Sequence, residues 1–315
     1  MNRENYNNRK VNQQEQELWA ATQEGIPIER ARAYIELAQL EGERSNFKQA
    51  ILLFETALDL IQAEAEINYA PDLLNVLCSI ADCYYFLSRY EDEIGVIEKA
   101  IVVANEYGIG DLGSLLRAAG RCYYSLNDDQ SSMKNHQAAL DYPDPDASEE
   151  TVATDQLNIG MSLSRLKRFS EAIEKFQIAR SIFKKLKQPK MVAICDGELA
   201  ETYVGLNDPI SIKEYGQLAL GTAEMIEDRR RQWWLHYFLA VAMRLQGELE
   251  EGISHLDTGR NLALAHGFEE FEYLVKVDCE LAKIYRSQGL DQQAEKIERR
   301  VKTVAEILEA ASVSL

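Results

Sequence analysis

The sequence predicts an all-α fold: a right-handed superhelical solenoid of about seven helix-turn-helix units with a C-terminal capping helix. Three observations carry this expectation. Seven short segments superimpose at a spacing near 40 residues, with small residues at Ala38, Ala81, Gly120, Gly160, Ala200, Ala240 and Ala282. A repeat of that length stacks supersecondary units in an array and does not wrap one globular core. Stretches rich in Ala, Leu, Glu, Gln and Arg favour helix, and only six prolines interrupt 315 residues. Within each unit, apolar side chains recur at i, i+3, i+4 and i+7, which places them on one face of a helix.

The elements follow in order. Residues 1–30 form a polar N-terminal segment. Its first twelve residues are rich in Asn and Arg and are expected to be disordered. Gln13 to Glu24 is expected to form a short helix carrying Leu18 and Trp19, broken by Gly25-Ile26-Pro27. The repeat array spans 31–289. In its first unit one helix carries Tyr34, Leu37 and Ala38, a turn falls at Ser45-Asn46, and a second helix carries Ala50, Phe54 and Ala57. Two helices joined by a tight turn approach closely only where a small side chain sits at the crossing, which is the role read for Ala38 and its equivalents. The aromatics three residues later, Tyr84, Tyr123, Tyr203 and Tyr285, fill the adjoining gap. Ala57, Ala100, Ala139, Ala179 and Ala219 supply a second small position facing the next unit.

Asp141-Tyr142-Pro143-Asp144-Pro145-Asp146 is the longest break. The step across it is still 40 residues, so it reads as an inter-repeat loop and not a domain boundary. Asp146 and Glu149 suggest a capping box for the following helix. Asp208 is placed to cap another, with Pro209 at its first position. Residues 290–315 form the last repeat helix and the C-terminal cap. Ala294, Ile297, Val301, Val304 and Leu308 make its apolar stripe, opposite Glu295, Arg299, Lys302 and Glu306. A terminal unit needs such a polar outer face. The stripe is too short for a convincing coiled-coil seam, so a monomer or weak homodimer is expected.

These positions resemble the tetratricopeptide repeat. That pattern has a small residue at position 8, Tyr at 11, an aromatic at 17, Ala at 20, Phe at 24 and Ala at 27. The fourth unit matches through Gly160, Phe169, Ala172, Phe176 and Ala179, and the first through Ala38, Phe47, Ala50, Phe54 and Ala57. The second keeps Ala81, Tyr84, Tyr90 and Ala100 but has Glu93 where Ala is usual. The third is degenerate at Asp129, Ser132 and His136, and the sixth substitutes Gly252 and Gly259 for alanines. The family's usual repeat is about 34 residues. The longer period here resembles the subgroup of kinesin light chain, the Pins-type polarity adaptors and the Rap-type peptide-regulated proteins. The resemblance implies a protein-binding array; the fold alone does not name a partner.

Composition narrows the function. A net charge of −18 argues against nonspecific binding to nucleic acid or anionic membranes, which attract basic surfaces. The five cysteines, Cys78, Cys83, Cys122, Cys195 and Cys279, form no CxxC pair and lie within helical patterns, which fits a reducing compartment. The first residues show no apolar signal region and no run of about 18 apolar residues occurs, so a cytoplasmic location is expected.

Nothing points to catalysis. No phosphate-binding loop, dinucleotide fingerprint, HExxH or GxSxG occurs. Of the four histidines, His136 and His236 occupy packing positions, while His255 and His266 lack acidic partners at ligand spacing. No enzyme activity, cofactor or metal is expected.

The informative surface is the one the resemblance assigns to the inside of the superhelix, lined by positions 2, 5, 9, 12 and 13 of the first helix in each unit. Over these 35 positions, Arg32, Arg117, Arg121, Arg165, Arg244, Lys276, Lys283 and Arg286 are basic, against Glu43, Asp82 and Glu201. Tyr85, Phe86, Tyr124, Trp234 and Tyr237 supply aromatic walls. The expected partner-binding groove therefore comprises Tyr85, Phe86, Arg117, Arg121, Tyr124, Arg165, Trp234, Tyr237, Arg244, Lys276 and Lys283. Arginines hold carboxylates in bidentate fashion, and aromatics anchor apolar side chains, so an acidic peptide or helical segment suits the groove. The two-carboxylate clamp of the family's chaperone-binding members is incomplete: Arg121 replaces its Asn, and Ile194 and Glu198 stand where Lys and Arg are required. Trp233 is read as packing a repeat junction. Arg229-Arg230-Arg231 is read as neutralising Glu224, Glu227 and Asp228.

Two functional readings follow: a noncatalytic scaffold or adaptor, and a peptide-responsive sensor of the Rap type. Rap-type proteins carry an N-terminal bundle or a DNA-binding domain ahead of their repeats, whereas 30 residues precede the first repeat here.

Overall fold

The computed structural model describes residues 13–64, 69–142, 148–265 and 271–312. Every regular element among these residues is helical. After a short helix, α1, through residues 13–21, seven pairs follow. They are α2 (Pro27–Glu43) with α3 (Phe47–Glu64), α4 (Ala70–Phe86) with α5 (Tyr90–Tyr107), and α6 (Leu112–Ser125) with α7 (Asp129–Asp141). Next come α8 (Glu149–Arg165) with α9 (Phe169–Lys185) and α10 (Pro189–Leu206) with α11 (Pro209–Met225). The last are α12 (Arg229–Gln246) with α13 (Leu249–Ala265) and α14 (Phe271–Ser287) with α15 (Asp291–Ser312). The even-numbered helix of each pair is the A helix and the odd-numbered one the B helix.

The hairpin turn explains why the period is so regular. In all seven pairs one turn residue adopts a left-handed conformation: Ser45, Ser88, Asn127, Lys167, Asn207, Gly247 and Gly289, with φ between 53° and 82°. Each lies seven residues beyond the small residue of its unit. The next residue then donates its N–H to the carbonyl five positions back, as from Asn46 to Glu41 (2.8 Å), Asp208 to Tyr203 (3.1 Å) and Glu248 to Met243 (2.8 Å). This is a Schellman closure, and it satisfies carbonyls that the end of the A helix leaves without partners.

The small residues sit where the helices cross. A Cβ on Gly160 would lie 2.6 Å from Phe176 Cε1, and one on Gly120 would lie 2.6 Å from His136 Cδ2. Phe176 and His136 are the same position of successive B helices, so a ring fills the notch that glycine leaves. Ala57, Ala100, Ala139, Ala179 and Ala219 are all buried.

The chain parts into two compact units at Asp146/Ala147. In the first, Phe54, Ile61, Val76, Ile80 and Tyr84 belong to one apolar cluster shared by α3 and α4. In the second, Trp233, Leu256, Tyr273, Val277 and Ile284 form another across α12, α13 and α14. Burying a side chain of this size contributes about 1.5–3 kcal/mol.

Several boundaries differ from expectation. The first repeat helix starts at Pro27, four residues before Ala31, because proline suits the first helical turn. The short N-terminal helix ends at residue 21, not 24. Ser148 caps α8 by accepting from Thr151 N (3.1 Å). The proposed cap Asp146, together with residues 1–12, Pro143, Pro145 and His266, lies outside the described residues. So do the side chains of Val304 and Leu308. Asp208 does cap α11, accepting from Ile210 N and Ser211 N ahead of Pro209. The C-terminal helix, at 22 residues, is the longest described, as its stripe implied. No helix among the described residues is long and apolar enough to cross a membrane.

Candidate binding faces

In the first unit, the end of α4 carries Tyr85 and Phe86. Both are exposed, Phe86 to 62%, although large apolar rings ordinarily pack inward. Phe86 is nonetheless held in place: it stacks on Phe47, the first residue of α3, at 4.8 Å and 11° between planes. Tyr85 meets Phe86 edge-on at 5.7 Å. The Arg121 guanidinium, from α6, lies over the Tyr85 ring at 5.8 Å. Three rings and a cation thus form a shelf on the A-helix face of α4 and α6. Arg117 and Tyr124, one turn either side of Arg121 on α6, are half-buried beside it. Such a shelf offers apolar area at low entropy cost and a cation for an acidic group.

A carboxyl is buried nearby, beside Cys122 of α6. Glu93, from α5, is 3% exposed. Burial pushes its pKa up, against the lowering effects of the Cys122 thiol and Arg121. Burial likewise raises Asp82, which Arg121 partly offsets. Cys122 is also buried and donates to the Tyr90 carbonyl at 3.6 Å. Its burial and the adjacent Glu93 raise the thiol far above its ordinary range, so it is not a nucleophile.

In the second unit, Trp234 and Tyr237 of α12 meet edge-on at 6.2 Å, and Lys276 Nζ of α14 stands 4.7 Å from the centre of the Trp234 ring. Burial and the neighbouring Glu280 push the Tyr237 hydroxyl up to about 12. Arg244 and Lys283 converge on Glu280, which is 1% exposed: Arg244 donates from Nε to one oxygen and Lys283 from Nζ to the other at 3.0 Å. Arg165 lies exposed at the end of α8.

The even basic lining read from the sequence is therefore redistributed. Arg244 and Lys283 neutralise a buried carboxylate. Arg32 pairs with Asp72 at 2.9 Å, and Arg286 with Glu298 at 2.8 Å. Glu198 on α10 adds a further acid, held well above the usual carboxylate range by burial and by Glu201. Glu198 and Glu280 share position 6 of their repeats, which is not among the lining positions. The burial of Glu280 between Arg244 and Lys283 is what the sequence reading missed.

The remaining polar residues fall into structural places. Trp233 is fully buried, stacked on Tyr273, whose hydroxyl donates to the Trp233 carbonyl at 2.9 Å. Arg231 pairs with Asp228 at 2.9 Å, and Asp228 caps the same helix. His136 is buried, as its register implied. His236 and His255, far apart in sequence, meet through their Nδ1 atoms at 2.9 Å. Among the described residues no group of three or more His, Cys, Asp or Glu side chains is placed to hold a metal ion.

No family model and no curated protein sequence matches this chain. Solved structures do. A signal-transduction ATPase with a tetratricopeptide repeat sensor from Pyrococcus horikoshii superposes with a TM-score of 0.66 at 18% identity, over 91% of this chain and 44% of that one. This chain thus spans less than half of that protein. The apo form of RapI matches with a TM-score of 0.59 at 15% identity, covering 89% of this chain and 99% of RapI. A Rap protein complexed with competence and sporulation factor matches with a TM-score of 0.50 at 16% identity, over 93% and 80%. At such identities the likeness establishes the fold, which is that of tetratricopeptide-repeat helical arrays.

Proposed function

We propose that the chain is a noncatalytic interaction scaffold that holds a peptide, or one face of a partner helix, against the A-helix face of α4 and α6. The observation that carries this reading is the shelf of Phe47, Phe86 and Tyr85, exposed at its rim yet fixed by stacking, with Arg121 across it. Rings already ordered lose little entropy on binding, so a short segment gains affinity from few contacts. The matching ligand carries an apolar anchor for Phe86 and a carboxylate for Arg121. Trp234 and Lys276 offer a second cation-and-ring site on the other unit.

The test is selection from a displayed library of random peptides. Peptides enriched in an aromatic or aliphatic residue near an acidic one are expected. Their affinity should fall at least tenfold in both Phe86→Ala and Arg121→Glu while each variant keeps its helical content. Peptides whose binding ignores both changes would sink the reading.

A peptide-responsive sensor is the alternative. It draws support from the likeness to a Rap protein complexed with competence and sporulation factor. Selected peptides should then alter the solution scattering profile; an unchanged profile argues for a passive scaffold.

A further inference from the structure

Glu93 breaks the repeat. The equivalent positions are Ala50, Ser132, Ala172, Ile212, Gly252 and Ala294, so no other unit places a carboxyl there. All of these residues are buried, and so is Glu93. Among the described residues its Oε2 has no hydrogen-bond partner. A buried polar atom left in that state is costly, and a repeat whose other units use small or apolar residues had a cheaper choice.

The surroundings indicate what the carboxyl faces. The charges that act on it are Asp82 and Arg121, which hold position 9 of their repeats on α4 and α6, and both are exposed. Glu93 is thus buried close to Cys122, whose neighbour Arg121 reaches over the Tyr85 ring. The titratable and charged groups around it are Asp82 from α4 and Arg121 and Cys122 from α6. Glu91, on its own helix, acts on the same Cys122 thiol. Arg121 is the only basic group of that set, and its guanidinium rests over the Tyr85 ring.

We propose that Glu93 and Asp82 form a recognition site for a cationic group, an ammonium or a guanidinium, carried by the segment that docks on this face. The proposal takes its occupant from the peptide-binding reading above and adds a second charge to it: a basic side chain seated over Glu93 beside the acidic one that meets Arg121. The cation supplies the donor that Oε2 lacks. A bound cation favours the ionised form that burial disfavours, so binding strengthens as pH rises through the raised pKa of the carboxyl.

The experiment titrates the full chain with N-acetyl-argininamide and N-acetyl-lysinamide, with N-acetyl-norleucinamide as the uncharged control, and follows amide NMR shifts. Saturable shifts confined to α4, α5 and α6 are expected with one or both cations and not with the control. While Glu93 is protonated, affinity should rise by up to about tenfold per pH unit. Glu93→Gln should remove both the binding and its pH dependence. Glu93→Met, of similar shape but apolar, should bind nothing and melt at or above the parent temperature. Cation binding that survives Glu93→Gln, or no saturable shift with either cation, overturns the proposal, as does a Glu93→Met variant that melts well below the parent. Library peptides that need Phe86 but are indifferent to Glu93→Gln would leave the scaffold reading standing while this one falls.

Discussion

The ring of Phe176 occupies the space that a side chain on Gly160 would need, with Cε1 2.6 Å from the Cβ position. Phe176 is fully buried between α8 and α9, so the ring has nowhere to withdraw. Gly160→Ala is expected to destabilise the chain by about 1–3 kcal/mol through overpacking. Gly221 is the matched control: it is also helical, and a Cβ there meets nothing within 4 Å. Gly221→Ala should stabilise by about 0.5–1 kcal/mol, because alanine loses less backbone freedom on folding. Urea unfolding of the pair separates the crossing from simple helix propensity.

The hairpin turns make a second, independent prediction. Gly247 has φ of 82° and open space around its Cβ position. Gly247→Ala therefore tests conformation alone, and it should cost about 1–2 kcal/mol. Lys167 holds the same place in the fourth unit with φ of 59° and bears that strain already. Lys167→Gly should change stability by less than Gly247→Ala, since relief of strain and the greater freedom of glycine in the unfolded chain oppose one another.

These two relationships also explain what was legible in the sequence. The crossing admits only small residues and the turn must fall a fixed distance beyond it. Both constraints are local, so Ala38 through Ala282 and Ser45 through Gly289 mark the same seven units. The placement of Trp233, His136 and the Asp208 cap followed from that register. Charge pairing did not follow. Whether Arg244 is available to a partner depends on Glu280, a residue 36 positions away on the next A helix. A count of basic residues on one face cannot register an acid that approaches from its edge. Glu93 is visible as a departure from the repeat, but its burial and unpartnered oxygen arise only from how α4, α5 and α6 pack.

Glu280 supplies the test of that pairing. It is buried and receives both Arg244 and Lys283. Glu280→Ala should destabilise by about 3 kcal/mol, the low end for a broken buried pair because Lys283 is itself exposed and rehydrates readily. The double variant Glu280→Leu with Arg244→Leu removes both charges and should recover most of the loss. A double variant no better than Glu280→Ala would mean that Glu280 matters through its packing and not its charge.

The contact between His236 and His255 fixes the direction of a pH effect. The two Nδ1 atoms lie 2.9 Å apart on α12 and α13, so one ring donates and the other accepts. Burial, and then the second imidazole, lowers the His236 pKa to about 4, and burial lowers that of His255. Glu251 opposes the shift at His255, while Lys213 reinforces it. A histidine whose folded pKa is depressed binds fewer protons folded than unfolded over the window between the two values. Its contribution is complete above the unfolded value of about 6.5 and is lost as pH falls toward about 4. The melting temperature of the parent should decline across that window. Replacing the pair by His236→Phe with His255→Leu removes both titrating rings, and the decline attributable to this contact should vanish. An unchanged pH profile in the double variant would place the acid sensitivity elsewhere, with the raised carboxyls Glu198 and Glu93 excluded by sign, since protonation of a carboxyl that is raised on folding stabilises the folded chain.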